Sequence, residues 1–490
     1  MIYNSNIWKT SDLCKACSPH IDSLEEMKMC WEIKITLKKV RILFYFGRWT
    51  EAEKIYHKIL AWAYVLKNKC FIAEIKTESA KLLSRKGFHK KALSLFEEAY
   101  KLYKNLDETR GFSDTLAHMG IVYEHQCNYK KAMECFERKL KIDEEVGDKQ
   151  GSSITVGNMG AVYDHQGNHT RAIGCYNRQL KISEELNDKF NLSIVLGNLG
   201  IVYKDKGNYK KALGYYEKSL RIARMLGYKR GIAIIVGNMG VIYLDEGNYS
   251  KALECYQKQL DICEELGDRE GISYGFGNMG LVYYEEGEYH RAMGCYKKTL
   301  SISEELGDKR SVSFAMGNMG DIYKKLKDYA KAEDCYDRAI VIQRELHLRF
   351  NLCQHLYLKA NLCFTVQRLE EAESLNNEAL QIAEKVKRDD TIFECKVLKV
   401  KIEHQGGRVS EHQSTRTSDY QKSDTVKQLK NMLLKCKKDS EVATLHYELF
   451  KMTGKKTHKT SALTLYRKLY KKSPAIHYKE RIEELKENLI

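Results

Sequence analysis

An alanine returns every 40 residues along most of this chain, and no other feature restricts the fold as strongly. The series is Ala52, Ala92, Ala132, Ala172, Ala212, Ala252, Ala292, Ala332 and Ala372, with an aromatic residue four positions later in eight of the nine cases. The units align without insertions. A fixed period of about 20 to 50 residues is typical of a solenoid, in which each repeat packs mainly against its neighbours.

Each unit has the apolar pattern of two helices, as the stretch from Ser153 to Lys189 shows. The first stripe consists of Val156, Met159, Val162 and Tyr163. The second consists of Ala172, Ile173, Tyr176, Leu180 and Ile182. Gly167 and Asn168 interrupt the pattern between them. With only two prolines in the chain, few helices need be broken, so the sequence predicts a helical hairpin for each unit.

The joints between units carry the sequence "EELGDK" or a close variant. Gly147, Gly267 and Gly307 can take the left-handed conformation that ends a helix. The aspartate that follows each of them can then cap the next helix.

The residues of these hairpins resemble the tetratricopeptide repeat (TPR) family. Gly160 and Tyr163 match its small-x-x-Tyr element, and Ala172 and Tyr176 match its Ala-x-x-x-aromatic element. The resemblance covers residues 37–386 and implies an all-α, right-handed superhelix (α-solenoid) of about nine helical hairpins. The units have 40 residues rather than about 34 and lack the usual proline, which longer helices explain. This form looks most like the arrays of Pins-type polarity adaptors and of assorted bacterial repeat proteins.

Four regions are predicted. They are an N-terminal helical cap at 1–36, nine 40-residue units at 37–386, a degenerate repeat and polar linker at 387–426, and a basic helical region at 427–490. The first thirty residues contain no signal-peptide core, and no apolar run is long enough to span a bilayer. The fifteen cysteines are scattered through helical positions, which suits a reducing compartment, so we expect a cytoplasmic protein.

In the family, the first helix of each hairpin lines a concave surface, which implies three rows of binding positions here. The asparagine row is Asn158, Asn198, Asn238, Asn278 and Asn318. The apolar row is Ala161, Ile201, Val241, Leu281 and Asp321. The variable row is Glu124, Asp164, Lys204, Leu244, Tyr284 and Lys324.

We expect the asparagines to bond the backbone of an extended peptide, the apolar row to accept its side chains, and the variable row to select its sequence. Gly160 lets the first helix approach the second beside Ala172. Packing against the second helix does not account for Gly157, so the glycine row (Gly157, Gly197, Gly237, Gly277 and Gly317) is expected to leave room for the peptide. The alternative is that each asparagine bonds a neighbouring helix and each glycine relieves crowding.

No motif predicts catalysis, a cofactor or a metal. GxxxxGK[ST], GxSxG and HExxH are absent, and "CKAC" at 14–17 is at most half of a zinc site. Five cysteines share one phase on the second helices (Cys135, Cys175, Cys255, Cys295 and Cys335), which favours core packing. His125 and His165 are expected to be solvated histidines on the binding surface.

Positive charge is concentrated near the C-terminal end. Residues 427–472 contain thirteen lysines or arginines against three acids, which is most of the net charge of +16. The segment is interpreted either as a helical cap or as an electrostatic contact with nucleic acid, an anionic membrane or an acidic protein. The sequence therefore predicts a non-catalytic scaffold that binds a peptide or protein segment. The alternatives are a nucleic-acid- or anionic-surface-associated protein and a peptide-sensing regulatory subunit.

Overall fold

The computed structural model describes residues 24–45, 48–409 and 415–487, which are helical throughout apart from short turns. The first ten helices are α1 (Leu24–Tyr45), α2 (Trp49–Val65), α3 (Lys69–Arg85), α4 (His89–Asn105), α5 (Thr109–His125), α6 (Tyr129–Glu145), α7 (Lys149–His165), α8 (His169–Glu185), α9 (Lys189–Asp205) and α10 (Tyr209–Met225). No strand occurs in the described ranges.

The remaining helices follow at the same spacing as far as α18. They are α11 (Lys229–Asp245), α12 (Tyr249–Leu266), α13 (Arg269–Glu285), α14 (Tyr289–Leu306), α15 (Lys309–Lys325), α16 (Tyr329–Glu345), α17 (Arg349–Thr365), α18 (Leu369–Val386), α19 (Asp389–Val409), α20 (Thr415–Lys435), α21 (Asp439–Thr453), α22 (Lys456–Lys472) and α23 (Ile476–Glu487).

Nine hairpins, from α1–α2 to α17–α18, match the nine predicted units, and the alanine that marks each one is fully buried. The predicted fold class, an all-α solenoid of helical hairpins, is confirmed. The break at Gly167 and Asn168 is also confirmed: Gly167 has φ +72°, and Asn168 Oδ1 accepts a hydrogen bond from the backbone N–H of Arg171 at 3.3 Å.

Gly160 permits close packing inside the hairpin, as predicted. A methyl group on Gly160 would lie 2.8 Å from Cε1 of the buried Tyr176 on α8. The joint before α7 follows its prediction too, because Gly147 has φ +70° and Asp148 Oδ1 accepts a hydrogen bond from the backbone N–H of Gly151 at 2.8 Å. The spacing of glycines thus fixes both the width of a hairpin and its connection to the next.

Several predicted boundaries differ from the structure. Helix α1 continues past residue 36, so the proposed cap boundary lies inside the first helix of the first hairpin. The "CKAC" motif at 14–17 lies outside the described residues. The stretch 408–426, predicted as a linker, is helical from Thr415 onward. Helix α20 is mostly polar because one side alone is buried, through residues such as Leu429.

Two further helix pairs, α19–α20 and α21–α22, continue the array after α18. The second pair retains the alanine-to-aromatic spacing in Ala462 and Tyr466, and both are buried in a cluster with Tyr447 and Ile482. The degenerate hairpin expected in the basic region is therefore present as α21–α22.

The chain divides into two compact units. Unit 1 runs as far as Ile242 and adds Glu254–Gly275 and Ser301–Lys309; unit 2 comprises Tyr243–Leu253, Phe276–Leu300 and the chain from Arg310 onward. No helix in the described ranges is both long enough and apolar enough to cross a membrane.

Unit 1 contains contacts between residues far apart in sequence. Leu306, at the end of α14, is buried in the core cluster of the first three helices. Nearby, the Arg85 guanidinium donates to both carboxylate oxygens of Glu270, at 2.9 and 3.1 Å. Unit 1 is thus held by more than contacts between neighbouring repeats.

Unit 2 contains a comparable long-range contact, made by the C-terminal segment. The Tyr249 hydroxyl donates to the Pro474 carbonyl at 2.9 Å, and the Tyr289 hydroxyl donates to Glu480 Oε1 at 3.1 Å. Helix α23 therefore packs beside the turns that begin α12 and α14.

Candidate functional site

The asparagine row lies on the first helices of five hairpins, with Asn158, Asn198 and Asn238 in unit 1 and Asn278 and Asn318 in unit 2. Each asparagine precedes by two residues the glycine that faces the second helix. Two residues correspond to about 200° around a helix, so the asparagines point away from that second helix. All five are half-buried.

Only one of these amides is used inside the described structure. Asn318 Nδ2 donates to the Phe314 carbonyl of its own helix at 2.9 Å. The side chains of Asn158, Asn198, Asn238 and Asn278 form no hydrogen bond with another described residue. Bonds to a neighbouring helix, the alternative to a binding role, are not formed by these four. Their role in binding stays a prediction.

The expectation that packing against the second helix does not account for Gly157 is wrong. A methyl group on Gly157 would lie 2.5 Å from Gln179 Oε1 on α8, and one on Gly237 would lie 2.7 Å from Gln259 Oε1 on α12. Both glutamine side chains are buried, so the space beside these glycines is filled by the protein itself.

Three other glycines of the row have different surroundings. At Gly317 the neighbouring side chain is His355 of the next first helix, and at Gly277 it is Phe314. Gly197 is the exception, since its nearest neighbour, Ser219 Oγ, would be in ordinary contact with a methyl group at 3.7 Å. The glycine row as a whole does not leave an open channel for a peptide backbone.

The apolar row is half-buried at Ile201, Val241 and Leu281. Ile201 packs against the core cluster that contains Tyr216, and Leu281 packs against the cluster that contains Tyr296. The row changes character at Asp321, whose Oδ1 accepts a hydrogen bond from the Tyr336 hydroxyl at 2.6 Å. Burial raises the pKa of the Asp321 carboxyl above its ordinary value.

The variable row begins with two buried acids that lie beside histidines. Nδ1 of His165 lies 3.0 Å from Glu124 Oε1, and Nδ1 of His169 lies 2.9 Å from Asp164 Oδ1. The hydrogen bond to Glu124 raises the pKa of His165, whose side chain remains 58% exposed. This agrees with the expected solvated position of His165 and adds a specific partner.

Later members of the variable row are half-buried and also have partners. Lys204 Nζ lies 2.9 Å from Asp205 Oδ1. The ring of Tyr284 lies 5.6 Å from that of Tyr289, centroid to centroid. Lys324 Nζ donates to Asn361 Oδ1 at 3.1 Å, and burial lowers the pKa of Lys324 to about 8. The row thus leads from α15 to α17.

A cavity of about 310 Å³ lies in unit 2, among α17, α19, α21 and α23. Tyr357 and Val397 in its wall continue the glycine row at steps of 40 residues, and Asn361 and Lys401 continue the apolar row. The remaining lining residues are Asp390, Phe393, Glu394, Leu398, Lys438, Ser440, Glu441, Thr444, Glu448 and Arg481. The sequence interpretation missed this cavity, although the 40-residue register pointed to two of its four walls.

The cysteines on the second helices are packing residues. Cys135 and Cys335 are buried, and burial raises the pKa of each thiol to about 11. Glu333, Cys363 and Glu371 lie close together, but the two carboxylates pair with Arg368 at 2.8 and 3.1 Å. These ion pairs use the oxygens that a metal ion would need.

Comparison with known proteins supports the repeat assignment. The tetratricopeptide repeat profile matches residues 71–145, 152–225, 231–305 and 311–385. Among solved structures, a Rap protein complexed with Competence and Sporulation Factor is 17% identical, with a TM-score of 0.50 over 73% of this chain and 99% of that chain. At such identity the likeness concerns the fold alone.

Two other solved structures are similar at lower TM-scores. The Rap conjugation gene regulator of plasmid pLS20, in complex with the Phr* peptide, is 14% identical at 0.47 and covers 64% of this chain and 96% of that one. A STAND protein with a tetratricopeptide repeat sensor from Pyrococcus horikoshii is 16% identical at 0.48 and covers 72% and 53%. The comparison with curated proteins finds no match.

Proposed function

Because this chain belongs to the tetratricopeptide repeat family, we propose that it is a non-catalytic scaffold that binds an extended peptide or protein segment along its first helices. The observation that carries the proposal is the asparagine row. Asn158, Asn198, Asn238 and Asn278 present amides at a regular spacing, half-buried and without a hydrogen-bond partner among the described residues.

An asparagine side chain carries a donor and an acceptor, as does a peptide unit. A series of such amides at the spacing of the repeats can therefore bond the backbone of an extended chain whatever its side chains are. The similar Rap protein was solved in complex with Competence and Sporulation Factor, which agrees with a ligand-binding role for this fold. Ile201, Val241, Leu281, Lys204 and Tyr284 would contact the ligand's side chains.

We further propose that the basic C-terminal region caps the array. The α21–α22 hairpin buries its own aromatic cluster, and Lys468 and Lys438 form ion pairs with Asp439 and Glu441 at 2.8 and 3.2 Å. Contact with nucleic acid stays the alternative prediction. It requires an affinity that falls steeply with added salt.

Hydrogen–deuterium exchange with degenerate pools of short, acetylated and amidated peptides tests the scaffold proposal. We expect saturable binding that slows backbone exchange in the first helices α7, α9 and α11. The paired second helices α8, α10 and α12 are internal controls and should change less. Slowing confined to the second helices, or to residues 427–472, would contradict the proposal.

A further inference from the structure

We propose that the cavity among α17, α19, α21 and α23 binds a cationic group of the peptide, with Glu394 as the carboxylate that pairs with it. This inference rests on the proposed function, because it names one chemical requirement of the ligand. The cavity has a volume of about 310 Å³, which is at the lower end of the range of ligand pockets and large enough for a long side chain.

The first argument is position. Asn361 and Lys401 occupy the same repeat positions as Ile201 and Val241, at multiples of 40 residues, so the cavity lies on the row-bearing side of α17 and α19. Asn361 also accepts the hydrogen bond from Lys324 of the variable row. A ligand that lies along the first helices of unit 2 would therefore reach the cavity.

The second argument is charge. The other acids of the wall have basic partners: Glu448 pairs with Lys401 at 3.3 Å, Glu441 with Lys438 at 3.2 Å, and Asp390 with Arg388 at 3.1 Å.

Arg481 of the wall donates to Glu484 at 2.8 Å. Glu394 has no ion-pair partner among the described residues, and its closest polar contact is Gln354 Nε2, at 3.5 Å from Oε2. The wall thus contains one carboxylate without a counter-charge.

The third argument is the environment of this carboxylate. Burial raises the pKa of Glu394 to about 7, with a further contribution from the negative charge of Asp390. A buried carboxylate without a counter-charge is costly, and a guanidinium or ammonium group would relieve that cost. Phe393, Val397 and Leu398 would contact the methylene groups of an arginine or lysine. An anion would instead meet Glu394 and Asp390.

Charged and titratable groups surround Glu394 on every element packed around it. They are Arg388, Asp390 and Lys401 on or beside its own helix, Tyr357 on α17, Asp321 and Lys324 on α15, Lys438, Glu441 and Glu448 on α21, and Arg481 on α23. A bound cation should keep Glu394 ionised, so affinity should rise about tenfold from about pH 6 to about pH 8. Lys324 loses its proton in the same interval and acts in the same direction, and Glu394→Gln separates the two contributions.

The test uses small probes on the full chain. N-acetyl-arginine amide and N-acetyl-lysine amide present a side-chain cation, leucine amide presents a free α-ammonium, and N-acetyl-citrulline amide is the neutral control. We expect at least one cationic probe to bind at least tenfold more tightly than citrulline amide in calorimetry or NMR titration, and Glu394→Gln to remove that difference. Glu403→Gln, on α19 but outside the cavity, should preserve it. Thermal unfolding of both variants checks that the fold is retained.

The outcomes separate this inference from the proposed function. Equal affinity for the cationic and neutral probes, or a preference that survives Glu394→Gln, would overturn the cavity assignment. Preferred binding of the arginine or lysine probe identifies a side chain as the ligand group, and preferred binding of leucine amide identifies an N-terminus. If the cation preference is present but the peptide pools slow exchange in no first helix, the scaffold proposal fails while the cavity remains a cation site.

Discussion

At the scale of single residues, the recurring "GNMG" sequence combines positions with unlike surroundings. Gly160 is required by the ring of Tyr176, and Gly157 faces the buried amide of Gln179. Asn158, between them, is turned to the other side of the helix and bonds no described residue. Since glycine weakens a helix by about 1 kcal/mol relative to alanine, close packing must offset that cost at Gly160.

The glycines allow a matched comparison of stability. Gly160→Ala should lower the free energy of unfolding by about 1–3 kcal/mol, because its methyl group would lie 2.8 Å from the Tyr176 ring. Gly174→Ala, on the adjacent helix α8 with open space around it, should raise that free energy by about 0.5–1 kcal/mol. Denaturant unfolding measures both. A change of the same sign in the two variants would contradict this assignment.

The difference between Gly160 and Gly157 marks one limit of prediction from sequence. The contact of Gly160 lies within the family's motif, so it could be predicted. The contact of Gly157 depends on the direction of Gln179, a long side chain that could also have extended into solvent. Periodicity identifies which residues share a row, but it does not tell which flexible side chain fills the space beside them.

At the scale of helices, the regular period predicted the hairpins and their turns. The break at Gly167 and Asn168 was predictable because a left-handed glycine and an N-cap asparagine have local chemical signatures. Helix α20 was not, since a helix that buries a narrow stripe around Leu429 has nearly the composition of a polar linker.

One leucine position tests the long-range contact between helices in unit 1. Leu186 and Leu306 are equivalent in the repeat, but Leu186 is 40% exposed whereas Leu306 is 4% exposed in the core of the first helices. Leu306→Ala should lower the free energy of unfolding by about 2–5 kcal/mol, and Leu186→Ala should change it by less than about 0.5 kcal/mol. Equal effects in denaturant unfolding would show that repeats far apart in sequence do not stabilise each other here.

At the scale of the whole molecule, the 40-residue register placed the three rows on the first helices but did not reveal the cavity. Its walls come from α17, α19, α21 and α23, and the last two follow an irregular connection. Arg481 and Glu448 therefore have no register that relates them to Glu394. Their proximity depends on how the C-terminal helices pack, which a repeat pattern cannot specify.

The central claim is that the asparagine row binds a peptide backbone, and simultaneous replacement of Asn158, Asn198 and Asn238 by alanine tests it most directly. Melting should be unchanged or slightly higher, because alanine favours helix and the described structure loses no hydrogen bond. A control triple variant replaces a row of exposed residues on the second helices by alanine (Asn177, Glu217 and Gln257).

Affinity for the best-binding peptide of the pools, measured by calorimetry beside thermal unfolding, decides the outcome. Each lost hydrogen bond contributes about 0.5–1.5 kcal/mol, so we expect the asparagine variant to bind roughly tenfold to a thousandfold more weakly. The control variant should bind like the parent. Unchanged affinity in the asparagine variant, or a melting temperature well below that of the parent, would contradict the claim.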